Sequence, residues 1–307
     1  MRNVFSAVLL ILFALSAPFC SAQENAAPAE VSNAPDQTDP VVSVPDAAAS
    51  VPDPAVSVPD PVQPGISARA AAPSEWQILG SQWKRVGPDL LHQQKDMWLF
   101  PVSLAHGRHW KPALALIGTT ALLTTIDVHD AKWVRNNTQP LGGFNNTFAG
   151  YNTATATEAF ASAFYLVAMA RRNAYDQQTF LLAGEAVIDA EILTTIMKDV
   201  DGREAPISYP AGGTFTDSWF KVRSGGWLGG LGSMPSGHEI AVMSVATIFA
   251  ERYPHPAWHR WVAYGLASLV GVSRITLQSH FTSDTFAGGA LGYFIARYLV
   301  LGHQPSN

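Results

Sequence analysis

The chain has 307 residues, a formal net charge of −5, 48% hydrophobic residues and one cysteine. That length suits one sizeable domain and a tail. The lack of a basic stripe argues against a nucleic-acid partner, and a lone cysteine excludes a disulfide framework or a cysteine-ligated zinc.

Met1 and Arg2, the apolar run Val8 to Leu15 and the small-residue exit Cys20-Ser21-Ala22 predict a secretory signal over residues 1–22. The protein is therefore expected to be exported, periplasmic or secreted. Cys20 is disfavoured as a lipid attachment site because bulky Phe19 precedes it. Residues 23–74 form a linker rich in Pro, Ala, Val, Ser and Asp, with Ser-Val-Pro-Asp recurring at Ser43, Ser50 and Ser57. Proline in every repeat removes helix hydrogen bonds and favours an extended, disordered spacer. Seven of the 24 acids and one of the 19 bases lie before Ile66, leaving 17 against 18 in a nearly neutral remainder.

From residue 75 to 307 the pattern is that of one helical domain. Trp76, Ile78, Leu79 and Trp83, then Leu90, Leu91, Met97, Trp98 and Leu99, predict short docking helices. Longer apolar segments follow at about Pro112 to Ile126, Glu158 to Ala170, Phe180 to Met197, Glu239 to Ala250, Trp261 to Val272 and Phe286 to Leu301. No window alternates like a strand, so the expectation is an all-α fold with a six-helix core bundle. Most of these windows are shorter than the roughly 20 residues that cross a hydrocarbon core, and Phe180 to Met197 carries Glu185, Asp189 and Glu191. An exported globular bundle, membrane-associated at most, is favoured over a spanning one.

Several polar residues read more simply as structure than as ligands. His106 and His109 suit a solvated or capping role; Asp127, His129 and Asp130 suit a helix end and turn. His255 and His259 read as loop residues, and the Asn-Asn-Thr triplets at Asn136 and Asn145 mark polar loops. The Gly-rich stretch Ser208 to Met234 carries Phe215, Trp219, Phe220 and Trp227, either an aromatic lip for an acyl or polyprenyl chain or simple packing. Lys221 and Arg223 in the same stretch read as solvated charges.

One constellation carries chemistry. His280 and Asp284 stand four apart at a helix start, so the carboxylate can share a face with the imidazole and hold its Nδ1–H, leaving Nε2 free as a nucleophile. Arg274 offers a planar fork of donors to phosphate oxygens. Ser236 and Gly237 open a helix whose unpaired N–H groups face an anion, and His238 is placed to protonate a departing alcohol.

Pro235-Ser236-Gly237-His238, followed after 34 residues by Ser273-Arg274, His280 and Asp284, and preceded by Lys198 and Pro206, resembles the type 2 phosphatidic acid phosphatase superfamily. That superfamily also contains bacterial acid phosphatases and vanadium haloperoxidases, and its pattern is K-x6-R-P, P-S-G-H and S-R-x5-H-x3-D. The resemblance implies a metal-independent phosphatase acting on a phosphate ester or phospholipid at a membrane surface. In it His280 becomes a phosphohistidine, Asp284 orients it and His238 serves as acid and then base. Lys198, Arg274, Ser236 and the Gly237 N–H would hold the phosphate oxygens.

The departure lies in the first block, where Ala205 stands in place of the arginine. Arg203, two residues away, is the candidate replacement as a phosphate ligand, although in a regular helix it would point roughly 200 degrees round. The pattern thus predicts a weakened or retuned phosphatase. The alternatives are a haloperoxidase holding vanadate in the same pocket, and a degenerate oxyanion-binding domain without turnover.

Overall fold

The computed structural model describes residues 75–138, 141–222 and 228–304. The signal at 1–22 and the linker at 23–74 lie outside the described residues, as do Arg223 and Trp227. The described residues contain helices, turns and loops but no strand. The chain runs α1 (Glu75–Ala105), α2 (Trp110–Asn137), a short α3 (Gly142–Thr147), α4 (Gly150–Ala170) and α5 (Ala174–Asp201), then a 3₁₀ turn at Pro206–Ser208. It closes with α6 (Gly237–Arg252), α7 (Trp258–Thr276) and α8 (Thr282–Phe294), which continues through a π-helical turn, Ile295–Val300, into a 3₁₀ turn, Leu301–His303.

Each of the six expected segments lies within a helix, from α2 to the extended α8. The short docking helices are corrected: residues 75–105 form one helix of 31 residues with Pro88 and Pro101 inside it. Each proline removes only one helix hydrogen bond. Packing against α5 supports the remainder through buried Leu79 and two cross-helix bonds, Gln93 to Glu185 at 2.9 Å and Gln94 to Asp189 at 2.7 Å.

Helix α5 starts where the Asn173 side chain accepts from the N–H groups of Tyr175 and Asp176, satisfying two orphan donors. It ends at Gly202, whose φ of 50° is left-handed and where a Cβ would fall 2.4 Å from the Val222 carbonyl oxygen. The acids that bar this helix from lipid place it inside the protein, with Glu185 and Asp189 both buried. Leu182, Ala186 and Ala190 of α5 join Ile240 and Ile248 of α6 and Ile295, Ala296 and Val300 beyond α8 in the main core.

Helix α6 packs against α5, α7 and α8. Its approach to α8 depends on missing side chains: a Cβ at Gly288 would lie 2.7 Å from the Ser236 carbonyl oxygen, and one at Gly292 2.4 Å from that of Ile240. These contacts bring the start of α6 and the start of α8 to the same end of the bundle.

The outer helices are different. Trp110, Leu114, Ile117 and Leu122 of α2, and Trp261 and Leu266 of α7, are all more than half exposed. The apolar windows of the sequence understate helix length. At 28 residues α2 spans about 42 Å, and α2 and Thr282–His303 are both long and apolar enough to cross a membrane.

Candidate functional site

The site gathers where α5 and α7 end and where α6 and α8 begin. Lys198 lies in the last turn of α5, Arg274 in the last turn of α7, Ser236 caps α6, and His280 stands two residues before α8. Two helix N-termini and two buried cations therefore face one place, which is the arrangement that favours an oxyanion.

Lys198, Arg274 and His280 are buried, and His238 is half-buried. A Cβ added at Gly237 would stand 3.7 Å from Lys198 Nζ, which puts the ammonium against the first turn of α6. His238 is driven down to about 3 by burial, then by the positive charges of Arg274 and Lys198, against a hydrogen bond to the Gly150 backbone. His280 is held well below the ordinary histidine value by burial, then by Lys198, His238 and Arg274. Each ring thus senses both cations, and both are neutral at physiological pH.

The tautomer of His280 follows from its neighbour. Its Nδ1 lies 2.7 Å from the Ser233 carbonyl oxygen, which only accepts, so the proton sits on Nδ1 and the lone pair on Nε2. Asp284 was expected to make this contact, but its nearest oxygen is 4.0 Å away. Its carboxylate accepts instead from Ser233 Oγ at 2.9 Å and the Phe281 N–H at 2.9 Å, and pairs with Arg203 Nη1 at 2.5 Å. Asp284 thereby fixes the two loop segments on either side of the His280 ring.

Arg203 does not take the place of the missing arginine. It is 1% exposed, and its Nη2 lies 2.6 Å from Asp127 while Nη1 also meets Ser283 Oγ at 2.8 Å and Nε meets Ser218 Oγ at 3.2 Å. Trp219 and Phe281 cover its faces, with ring centroids 4.4 and 4.2 Å from the guanidinium carbon. A guanidinium committed to two carboxylates and two hydroxyls is a hub beneath the site, and Asp284 belongs to that hub.

Arg274 bonds the Phe148 carbonyl and, from Nε at 3.1 Å, Ser273 Oγ. Ser236 donates its backbone N–H to the Asp284 carbonyl at 3.0 Å, tying α6 to α8. Its Oγ is fully buried with no hydrogen-bond partner in the protein. A buried unpaired hydroxyl is costly unless something completes it, and here it stands at an anion-favouring helix start.

Sequence reasoning missed Asp127, Ser233, Ser283 and Phe148. Asp127 was read as a cap and turn, yet α2 continues to Asn137 and carries it buried into the Arg203 hub. Ser233 and Phe148 act through main-chain carbonyls, which no side-chain pattern reveals. The histidines set aside are peripheral: His106 bonds the Val102 carbonyl at the surface, His109 is exposed at the start of α2, and His259 lies in the first turn of α7 rather than in a loop. In the Gly-rich stretch Phe215 is buried against Ala131 and Phe281, whereas Phe220 is exposed and Lys221 pairs with Asp217 at the surface.

Parts of this chain are similar to known proteins. A lipid A 1-phosphatase of Porphyromonas gingivalis is 36% identical over 64 residues, covering 20% of this chain and 14% of that protein's length. A crystal structure of the first transmembrane PAP2 type phosphatidylglycerolphosphate phosphatase from Bacillus subtilis superposes with a TM-score of 0.41 and 20% identity. It covers 63% of this chain and 95% of that one. The model of the PAP2 superfamily matches residues 179–307, the stretch that holds Lys198, Ser236, His238, Arg274, His280 and Asp284.

Proposed function

We propose that this protein is an exported phosphatase, seated in a membrane by its apolar outer helices, that hydrolyses a lipid phosphate monoester through His280. The observation that carries this reading is the meeting of the His238 and His280 imidazoles, two buried cations and the unpaired Ser236 hydroxyl at one end of the bundle.

Nε2 of His280 attacks phosphorus as the ester P–O bond breaks, and His238 delivers a proton to the departing oxygen. Water then attacks the phosphohistidine, His238 takes its proton, the P–N bond breaks and phosphate leaves. Lys198, Arg274, Ser236 Oγ and the Gly237 N–H hold the non-bridging oxygens while charge redistributes over them. Asp284 keeps the His280 loop in place and has no direct part in proton transfer.

A lipid as the leaving group is supported by the exposed apolar side chains of α2 and α7, since apolar patches of this kind mark membrane or partner surfaces. The lipid phosphate named for the Porphyromonas relative belongs to the same chemical class. The commitment of Arg203 to its own hub favours a second outcome to be measured, a domain that binds phosphate with little turnover.

The test uses the full chain in detergent micelles. Phosphate release from phosphatidic acid should exceed that from p-nitrophenyl phosphate, His280→Ala should abolish both, and His238→Ala should accumulate a phosphohistidine. Activity retained in His280→Ala would reject the mechanism. Halide oxidation with added vanadate would point to the haloperoxidase alternative, and phosphate binding without turnover to the degenerate one.

A further inference from the structure

A second cluster lies at the opposite end of α8, roughly 30 Å along the helix from His280. His92 and Asp96 stand four apart on one face of α1, and His303 closes the 3₁₀ turn that ends the chain's last helical run. One ligand atom from each of the three lies within 4.8 Å of the other two. Four ligands around a tetrahedral zinc-class ion are about 3.3 Å apart at bond lengths of about 2.0–2.1 Å. The three atoms would draw in by up to about 1.5 Å to reach that spacing.

The hydrogen bonding of His303 points to a cation. Its Nδ1 is bonded to the Leu299 carbonyl, an acceptor, so a neutral ring carries its proton there. That leaves the Nε2 lone pair facing a carboxylate oxygen of Asp96 at 2.9 Å, and a carboxylate also only accepts. Either a proton or a metal ion must sit between them. A backbone carbonyl on the far nitrogen is the support that metal-bound imidazoles ordinarily have.

His92 favours the metal. An Asp96–His303 ion pair has no use for a second imidazole, yet the His92 ring lies edge-on to His303 with centroids 5.6 Å apart and brings a third donor.

We propose that His92, Asp96 and His303 bind one divalent transition-metal ion of the zinc class, with a water completing the coordination, and that the ion clasps α1 to the C-terminal end of the bundle. Two imidazoles and one carboxylate suit zinc, cobalt or nickel better than calcium or magnesium, which prefer all-oxygen sites.

The experiment uses the full chain in detergent, stripped with a chelator and titrated with Zn²⁺ or Co²⁺. The wild type should take up one equivalent, show the absorption bands of four-coordinate Co²⁺, and gain about 3 °C or more in Tm with Zn²⁺. His92→Ala and Asp96→Asn should each weaken binding at least about tenfold and abolish the Tm gain. Phosphatase activity should persist in both variants, which separates this site from zinc held by His238 and His280. If His92→Ala fails to fold, His92→Gln replaces it and should likewise lose the Tm gain. No stoichiometric uptake by the wild type, or equal affinity in the wild type and the variants, would overturn the proposal and leave an ion pair alone.

Discussion

The carboxylate of Asp284 stands 4.0 Å from Nδ1 of His280, and the proton on that nitrogen goes to the Ser233 carbonyl at 2.7 Å. Asp284 works one step removed. By accepting from Ser233 Oγ and the Phe281 N–H it clamps the residue whose carbonyl sets the tautomer and the residue that follows the histidine. Its charge is matched by Arg203.

Asp284→Asn therefore tests positioning against direct proton control. The Ser233 carbonyl survives the substitution, so the proton of His280 should stay on Nδ1, as read from ¹⁵N chemical shifts of the ring. Activity should fall roughly tenfold to a hundredfold through looser placement, with lowered stability because the Arg203 pair is lost. A switch of tautomer in this variant would show that Asp284 governs the ring directly.

Arg203 is a stability residue in this arrangement. Arg203→Met leaves Asp127 and Asp284 buried without a counter-charge, and breaking a buried pair in this way costs about 3–5 kcal/mol. Arg203→Lys should recover only part, because a point charge cannot span both carboxylates and the hydroxyls of Ser218 and Ser283. Denaturant or thermal melts in detergent measure both variants. A variant with normal melting and a raised KM would instead mark Arg203 as a phosphate ligand.

The depressed His238 value sets the direction of the pH response. Without a ligand the folded ring stays neutral down to about pH 3, whereas the unfolded ring takes up a proton near its ordinary value of about 6.5. Acidification through that window therefore favours the unfolded chain, and this contribution to stability falls as pH falls. A bound phosphate lies beside Lys198 and Arg274, offsets their charge and should raise His238, supplying the protonated acid that the reaction needs. The ring should be neutral at pH 5 alone and protonated with phosphate by NMR, and the loss of Tm from pH 7 to pH 5 should shrink. A ring unmoved by phosphate would exclude His238 from the anion site.

The helices were legible because their apolar spacing is local, and the histidines because their spacing encodes a helix start. What stayed hidden is non-local. Asp127 and Arg203 are 76 residues apart and meet only after α2 docks beside α8. The continuity of α1 through two prolines depends on Gln93 and Gln94 reaching α5. Ser233 escaped notice because its carbonyl, not its side chain, receives His280. Gly288 and Gly292 act by what they lack, since the absence of a Cβ lets α6 and α8 close on each other.

Ala205 offers the last test, because the hub has removed the nearest substitute. Arg203 is spent on Asp127, Asp284, Ser218 and Ser283. Arg135, the other cation near Pro206, donates to the carbonyls of Pro206, Tyr209 and Pro210 and to Gln278. Neither is placed to supply the lost phosphate anchor. Ala205→Arg should raise kcat/KM for phosphate release by roughly tenfold to a hundredfold, since one preorganised donor set is worth about 10² to 10³ in rate. Ala205 is only 7% exposed, so the larger side chain should lower the melting temperature at the same time. Unchanged kinetics in a folded variant would mean that Lys198, Arg274 and the start of α6 already hold the phosphate fully, and that this position no longer limits the reaction.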